Sequence, residues 1–384
     1  MVIQIINLTH SDVFKKYSSR YKIYRDVYQP GLYGLEIRNV PRQLASEVQK
    51  IVLHENEICY KSENVVNNLD LFIPGAIWNF KELSRRILSG GDEELGYKIT
   101  NIIKNYEEYD LKSYRIGEKD FNFSLCYTMG ILNVTPDSFS DGGLYLNEID
   151  AVNHAINMID AGADIIDIGG ESTRPGALPV EEKEELERVI PVIKKIIELK
   201  PDAIISVDTN KSKVAGEALK CGAKIINDIS GFTFDPNIFN IVKKYDAGII
   251  IMHIKGIPNN MQQDPSYEDA VAEIFDHLYK QTTKAVKNGI KNIFIDPGIG
   301  FGKRFEDNIA IIRRLEDFKC LGYPIVIGVS RKAFLGKIIA ADVNQRDIAT
   351  AIMETAAAKA GARIIRTHNI QIGTQVKKIL NQLH

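Results

Sequence analysis

Two carboxylates, an amide, a lysine and an arginine stand where apolar runs of strand length give out: Asp208, Asn227, Asp296, Lys332 and Arg366. Asp208, Asn227 and Asp296 offer acceptors and one amide, a set suited to a flat ligand rich in N–H donors, such as a fused pyrimidine. Carboxylates aimed at such donors make charge-assisted hydrogen bonds of about 1.5–3 kcal/mol each. Lys332 suits a ring carbonyl or nitrogen, and the planar guanidinium of Arg366 can stack on a ring or take a phosphate. Asn133, Thr173, Arg366 and His368 suit an anionic group, for which Mg²⁺ is the natural companion. Together these residues point to a planar heterocycle beside a phosphorylated group.

The elements that must hold them can be read from the pattern. Apolar runs recur at 129–134, 164–168, 203–207, 223–226, 248–252, 292–295, 324–329 and 362–365. Helix-period segments follow at 149–161, 180–199, 212–221, 236–245, 267–288, 305–318, 346–360 and 374–383. Alternating apolar strands and amphipathic helices imply a parallel sheet covered by helices. Eight units in about 260 residues is the size of a (β/α)8 barrel, whose site lies at the C-terminal strand ends. An open dinucleotide-binding sheet would carry a Gly-rich turn after its first strand, and this chain has none. The strand ends read Asn133, the loop 169–176, Asp208, Asn227 with Asp228, His253, Asp296, Ser330-Arg331-Lys332, then Arg366 with His368. Helix capping accounts for one or two polar strand ends but not easily for eight.

Residues 1–110 differ in texture. Strands are expected at 2–8, 32–37 and 68–74, and helices at 42–54, 80–88 and 92–106, the last begun by Asp92, Glu93 and Glu94 in favourable charge–dipole positions. This is a small α+β unit without a catalytic constellation, and the polar stretch 107–120 reads as a linker to the barrel at 115–384. The chain has 384 residues and a formal net charge of −2, which offers no bulk attraction to nucleic acid or an anionic membrane. Cys59, Cys126, Cys221 and Cys320 form no CxxC pair and read as reduced thiols. The N-terminal residues lack the pattern of a signal peptide, and no run approaches a membrane span, so a cytoplasmic location is expected.

The segments MGILNVTPDSFSDGG, DIGGESTRPGA, SVDTNKSKVA, INDISG, DPGIGFGK, GVSRKAF and RTHN, in that order, resemble dihydropteroate synthase over about residues 115–384. The resemblance implies a (β/α)8 transferase of folate biosynthesis, a sulfonamide target, that joins 6-hydroxymethyl-7,8-dihydropterin diphosphate to 4-aminobenzoate. It implies that Asp208, Asn227, Asp296 and Lys332 hold the pterin edges, that Met252, Phe301 and Gly328 line its slot, and that Arg366 stacks over it. Asn133 would contact Mg²⁺, and Thr173, Arg366 and His368 would face the diphosphate. Phe139, Arg174, Pro175 and Ser330 would shape the aminobenzoate pocket. Asp208, Lys332, Arg366 and His368 would carry catalysis, and the loops 135–146 and 169–178 would fold over the site. A homodimer through barrel helices also fits the family. Asn369 stands where the family commonly has Asp; a tolerated substitution that keeps the hydrogen-bonding shape is the favoured expectation, with altered diphosphate or metal handling as the alternative. The rival readings are a methyltetrahydrofolate-dependent methyltransferase, which has no use for Asn133, Thr173 and His368, and a repurposed pterin-binding paralogue.

Overall fold

The computed structural model describes residues 1–23, 32–53, 58–63, 68–135, 144–173 and 176–383. The chain forms two compact units, Met1–Tyr109 with Arg313–Gly322, and Asp110–Ile312 with Tyr323–His384.

In the first unit β1 (Val2–Asn7), β2 (Tyr33–Val40), β3 (Tyr60–Glu63) and β4 (Leu69–Gly75) make an antiparallel sheet in the order β1-β2-β4-β3. Among the described residues four helices accompany it: α1 (Ser11–Arg20), α2 (Arg42–Leu53), α3 (Ile77–Ser89) and α4 (Glu93–Glu107). The Asp92 carboxylate accepts from Leu95 N at 2.9 Å, so this acid caps α4 as well as suiting its dipole. Two elements carry too little pattern to be read from sequence. In α1 only Val13 and Tyr17 are buried, and β3 (YKSE) is polar with no buried residue. The segment expected as one helix over 305–318 stops at Arg313 and continues as a 3₁₀ turn, Leu315–Leu321. That turn belongs to the first unit, where Asp317 accepts from Asn7 N at 3.2 Å and Cys320 Sγ from Ile5 N at 3.3 Å.

The stretch expected as a linker is structured instead. After a 3₁₀ turn at Tyr109–Leu111, β5 (Ser113–Ile116) and β6 (Lys119–Asn122) pair as an antiparallel hairpin. Its Ile116 and Phe121, with Phe123, pack against Tyr127, Met129, Ile165, Ile204, Ile225, Phe294, Val326 and Ile364 near the strand starts of the barrel. The polar residues of this stretch face outward, and their apolar neighbours stop up the end opposite the predicted site. Nearby, Arg363 is 2% exposed and donates from Nε to Phe123 O at 2.8 Å, with Asp110 as its charge partner.

Among the described residues eight parallel strands close a barrel. They are β7 (Tyr127–Asn133), β8 (Ile165–Gly169), β9 (Ile205–Asp208), β10 (Ile225–Asp228), β11 (Gly248–Met252), β12 (Ile293–Asp296), β13 (Ile325–Ile327) and β14 (Ala362–Thr367), in sequence order with β14 against β7. The helices between and after them are α5 (Leu144–Asp160), α6 (Glu182–Leu199), α7 (Ser212–Lys220), α8 (Ile238–Lys244), α9 (Ala270–Lys287), α10 (Phe305–Arg313), α11 (Ala333–Ile339), α12 (Asp347–Lys359) and α13 (Ile370–Leu380). The expected (β/α)8 architecture is present, with α11 as an extra helix of about two turns before α12. The last helix starts at Ile370 rather than 374, because Asn369 caps it.

Candidate active site

The strand ends converge on a buried polar floor. Asp208 closes β9 and Asn227 lies in β10 directly opposite it in register. Arg366 comes from β14, from across the ring. Its Nη2 donates to Asp208 Oδ2 at 3.0 Å and its Nε to Asp167 Oδ2 at 2.6 Å. Asn227 Nδ2 donates to the same Asp167 oxygen at 3.0 Å. Asp167 is thus the hub of the predicted pterin residues, though not itself one of them. Its signal is a carboxylate inside the otherwise apolar strand IIDIG, where an unpaired charge is too costly to be incidental.

Asp296 closes β12 and accepts from Gly298 N at 2.7 Å. Met252, Phe301, Ile229, Ile254 and Met261 form a small apolar cluster, and Lys332 Nζ stands 4.2 Å from the Phe301 ring centroid. Gly328 faces Arg366: a Cβ there would lie 3.9 Å from Arg366 Cδ, so glycine leaves open space at that wall.

Burial sets the protonation of this floor. It pushes the Asp208 carboxyl up to about 7, outweighing Arg366, while Asp167, Glu185 and Glu171 add like-charge repulsion. Asp296 is pushed to about 6 by burial against the opposing Gly298 N–H and Lys332. Lys332 falls to about 8, through burial and the nearby Arg366. Burial opposes the Arg366 charge, yet Asp167 and Asp208 hold its pKa above the ordinary value.

The other side of the ring is a rim of mixed burial. Asn133 ends β7, half-buried and opposite Gly169 in register, and Thr173 is half-buried in the loop beyond β8. Ser330 Oγ lies 3.0 Å from His368 Nδ1 and accepts from His368 N at 3.2 Å, so a residue expected at the amine pocket meets one expected at the diphosphate. Asn369 does two jobs. Its Oδ1 accepts from Ile372 N at 3.2 Å to cap α13, and its Nδ2 donates to Asp347 Oδ2 at 2.8 Å. Asp347 is also gripped by Arg331, at 2.7 Å from Nε and 3.0 Å from Nη2, and that guanidinium holds its carboxyl below the usual range. A cavity of about 510 Å³ borders this rim, lined by Asn133, His154, Met158, Arg331, His368 and Asn369 among others.

Residues 129–368 match the family described as pterin binding enzyme. The dihydropteroate synthase of Synechocystis is 44% identical over 260 residues, covering 67% of this chain and 90% of its own length. The chain belongs to the dihydropteroate synthase family. As such a synthase it is a transferase of folate biosynthesis. The crystal structure of the Yersinia pestis synthase with a sulfonamide drug complex superposes at TM-score 0.67 and 37% identity, covering 71% of this chain and 99% of that one. The Xanthomonas albilineans synthase in complex with 7,8-dihydropteroate superposes at TM-score 0.64 and 32% identity, covering 71% and 98%.

Within the synthase the predicted residues sort by position. Asp208, Asn227, Asp296, Met252, Phe301, Gly328, Lys332 and Arg366 line one floor, and Asn133, Thr173, Ser330 and His368 occupy the loops and strand ends at its rim. Asp228 and His253, counted among the ring of strand ends, turn to local work. Asp228 accepts from Ser230 N at 2.8 Å and Phe232 N at 2.6 Å to shape the turn after β10, and His253 turns to Lys303. Phe139, Arg174 and Pro175, with the rest of 136–143 in the first of the two loops expected to cover the site, lie outside the described residues. Among the described residues no group of three or more His, Cys, Asp or Glu side chains can hold a metal, and no helix is long and apolar enough to cross a membrane.

Proposed function

We propose that this synthase joins 6-hydroxymethyl-7,8-dihydropterin diphosphate to 4-aminobenzoate, releasing 7,8-dihydropteroate and diphosphate, with the pterin on the Asp208–Asn227–Asp296 floor. The observation that carries this reading is the buried set of acceptors joined by Asp167 to Arg366, since two carboxylates and an amide offer a complement to the N–H edges of a pterin. Lys332 donates to the ring carbonyl or nitrogen. Met252 and Phe301 supply the apolar slot, Gly328 leaves it open, and Arg366 covers the ring face.

In the reaction the methylene C–O bond breaks and its electron pair leaves with diphosphate. The aniline nitrogen then forms the C–N bond and gives up one proton to solvent. The electron-rich dihydropterin stabilises the cation that develops, and Asp208, partly charged near neutral pH, balances it. Arg366 and His368 stabilise charge growing on the leaving group, and Ser330, bonded to His368, positions that imidazole between the leaving group and the amine. Ser330, Phe139, Arg174 and Pro175 form the amine pocket. The loops 135–146 and 169–178 exclude water, whose attack would waste the diphosphate.

Mg²⁺ suits this site as a companion of diphosphate: Asn133 offers a hard amide oxygen, and this cation is commonly held by few protein oxygens plus phosphate and water. When bound, it neutralises charge on the leaving oxygens. Thr173 contributes a hydroxyl to the same anion. Exposed apolar side chains on the outer helices, Ile348 (75%), Ile352 (65%) and Ile379 (62%), support a homodimer through α12 and α13.

The test is to mix the purified chain with the pterin diphosphate, 4-aminobenzoate and Mg²⁺ and follow diphosphate and dihydropteroate. Stoichiometric release that requires the amine is expected; release independent of it, or none, sinks the reading.

A further inference from the structure

Lys303 closes the segment DPGIGFGK, is 3% exposed, and has no part in the chemistry above. Its Nζ lies 2.9 Å from Phe301 O, 3.2 Å from His253 O and 3.0 Å from His253 Nδ1. An ammonium carries three N–H donors. With His253 as the tautomer protonated at Nε2, all three find acceptors, two on one loop and one on another. Those loops, after β11 and after β12, also touch through backbone. Gly298 has φ of +71°, and a Cβ on it would stand 2.0 Å from His253 O. The loop after β12 carries both Asp296 at its start and Phe301, whose ring lies beneath Lys332. What fixes Phe301 O therefore fixes one wall of the slot and the seat of Lys332.

We propose that Lys303 is a positioning residue for the pterin slot, its ammonium drawing the His253 and Phe301 carbonyls together so that Phe301 and Lys332 meet the ring. The inference rests on the pterin reading of this floor. Burial lowers Lys303 to about 7, a fall that Asp296 and Asp307 oppose and Lys332 and Lys255 deepen. His277, on α9, packs edge-on against His253 at 5.0 Å between ring centroids and is held neutral, its pKa near 4.

The test uses the full chain with Lys303→Met, which keeps the stem and removes every donor, and Lys303→Gln, which keeps a neutral pair of donors. The KM for pterin diphosphate is expected to rise about tenfold in the first and about threefold in the second, the scale of one or two lost charge-assisted hydrogen bonds. The KM for 4-aminobenzoate should stay within about twofold, a split that a general loss of stability does not produce. If Lys303→Met does not fold by circular dichroism, Lys303→Gln decides. An unchanged pterin KM in a folded variant, or a parallel rise for both substrates, overturns the inference. Lys332→Ala separates the levels. If it retains pterin binding, the slot reading fails and takes this inference with it; if it loses binding while both Lys303 variants keep it, only the role of Lys303 fails.

Discussion

The floor and the rim of the barrel mouth handle carboxylates in opposite ways. On the floor the Asp167 side chain is 0% and that of Asp208 8% exposed, and burial drives Asp208 and Asp296 toward neutrality despite Arg366 and Lys332. On the rim Asp347 keeps 21% exposure and a bidentate guanidinium, and its carboxyl is held acidic. A cation at about 3 Å does not by itself decide the state of an acid: what it must overcome is desolvation, small at the rim and large on the floor. The floor is therefore poised to respond to a ligand that supplies donors, whereas the rim is already neutralised and serves as a brace.

Removing the hub charge should have the largest effect on this contrast. Asp167→Asn leaves Arg366 with Asp208 as its remaining carboxylate on the floor, and kcat/KM for the pterin substrate should fall about 100-fold, the scale of breaking a buried ion pair. Steady-state kinetics with each substrate varied will show it; a change under about threefold would mean the floor does not depend on its buried charge.

A smaller effect separates floor from rim by pH. With the pterin N–H groups bonded to the Asp208 carboxylate as proposed, affinity should weaken about tenfold per unit as pH falls below about 7, where Asp208 takes up its proton. It should weaken again above about 8, where Lys332 loses its proton. Calorimetric titration of the pterin substrate across this range should give a bell, and Asp208→Asn should abolish its acidic limb. Stability runs the opposite way to affinity over the acidic limb. Asp208 and Asp296 are raised from 3.8 to about 7 and about 6, so the folded state holds more protons in that window and their contribution falls as pH rises through it. Asp347, being depressed, contributes above its unfolded value of 3.8, and that contribution is lost as pH falls through its lower folded value.

The smallest effect belongs to the rim. Asn369→Asp keeps a good helix cap but sets a second carboxylate where an amide now donates to Asp347 at 2.8 Å. Stability should drop by about 1 kcal/mol, as for other partly exposed charge contacts, with kcat within about twofold. Thermal melting and steady-state turnover measured together check it. A large loss of kcat at unchanged melting temperature would revive a direct role for this position in diphosphate handling.

The strand-end residues were legible because each is a local event, a polar side chain at the close of an apolar run, and the barrel turns eight such events into a ring. Asp167 was not legible as a hub, since nothing near it in sequence announces Arg366, which lies 199 positions away. The hairpin Ser113–Asn122 reads as a linker in sequence because its polar residues outnumber Ile116 and Phe121, whose apolar partners lie on strands spread along the chain. The 3₁₀ turn Leu315–Leu321 was merged with α10 because helical periodicity does not reveal that Asp317 and Cys320 bond to β1, some 310 residues earlier. Asn369 was read as a departure from a family motif, and its amide proved to be both the cap of α13 and the partner of Asp347.

By itself, then, the sequence determined the alternation of strands and helices and the kinds of group at each strand end, because periodicity, turn chemistry and polarity act over a few residues. Tertiary structure alone decided which acids share a cation, which are driven toward neutrality by burial, and which polar strand-end residues, such as Asp228 and His253, serve the scaffold. Those outcomes depend on desolvation and on contacts between residues far apart in the chain.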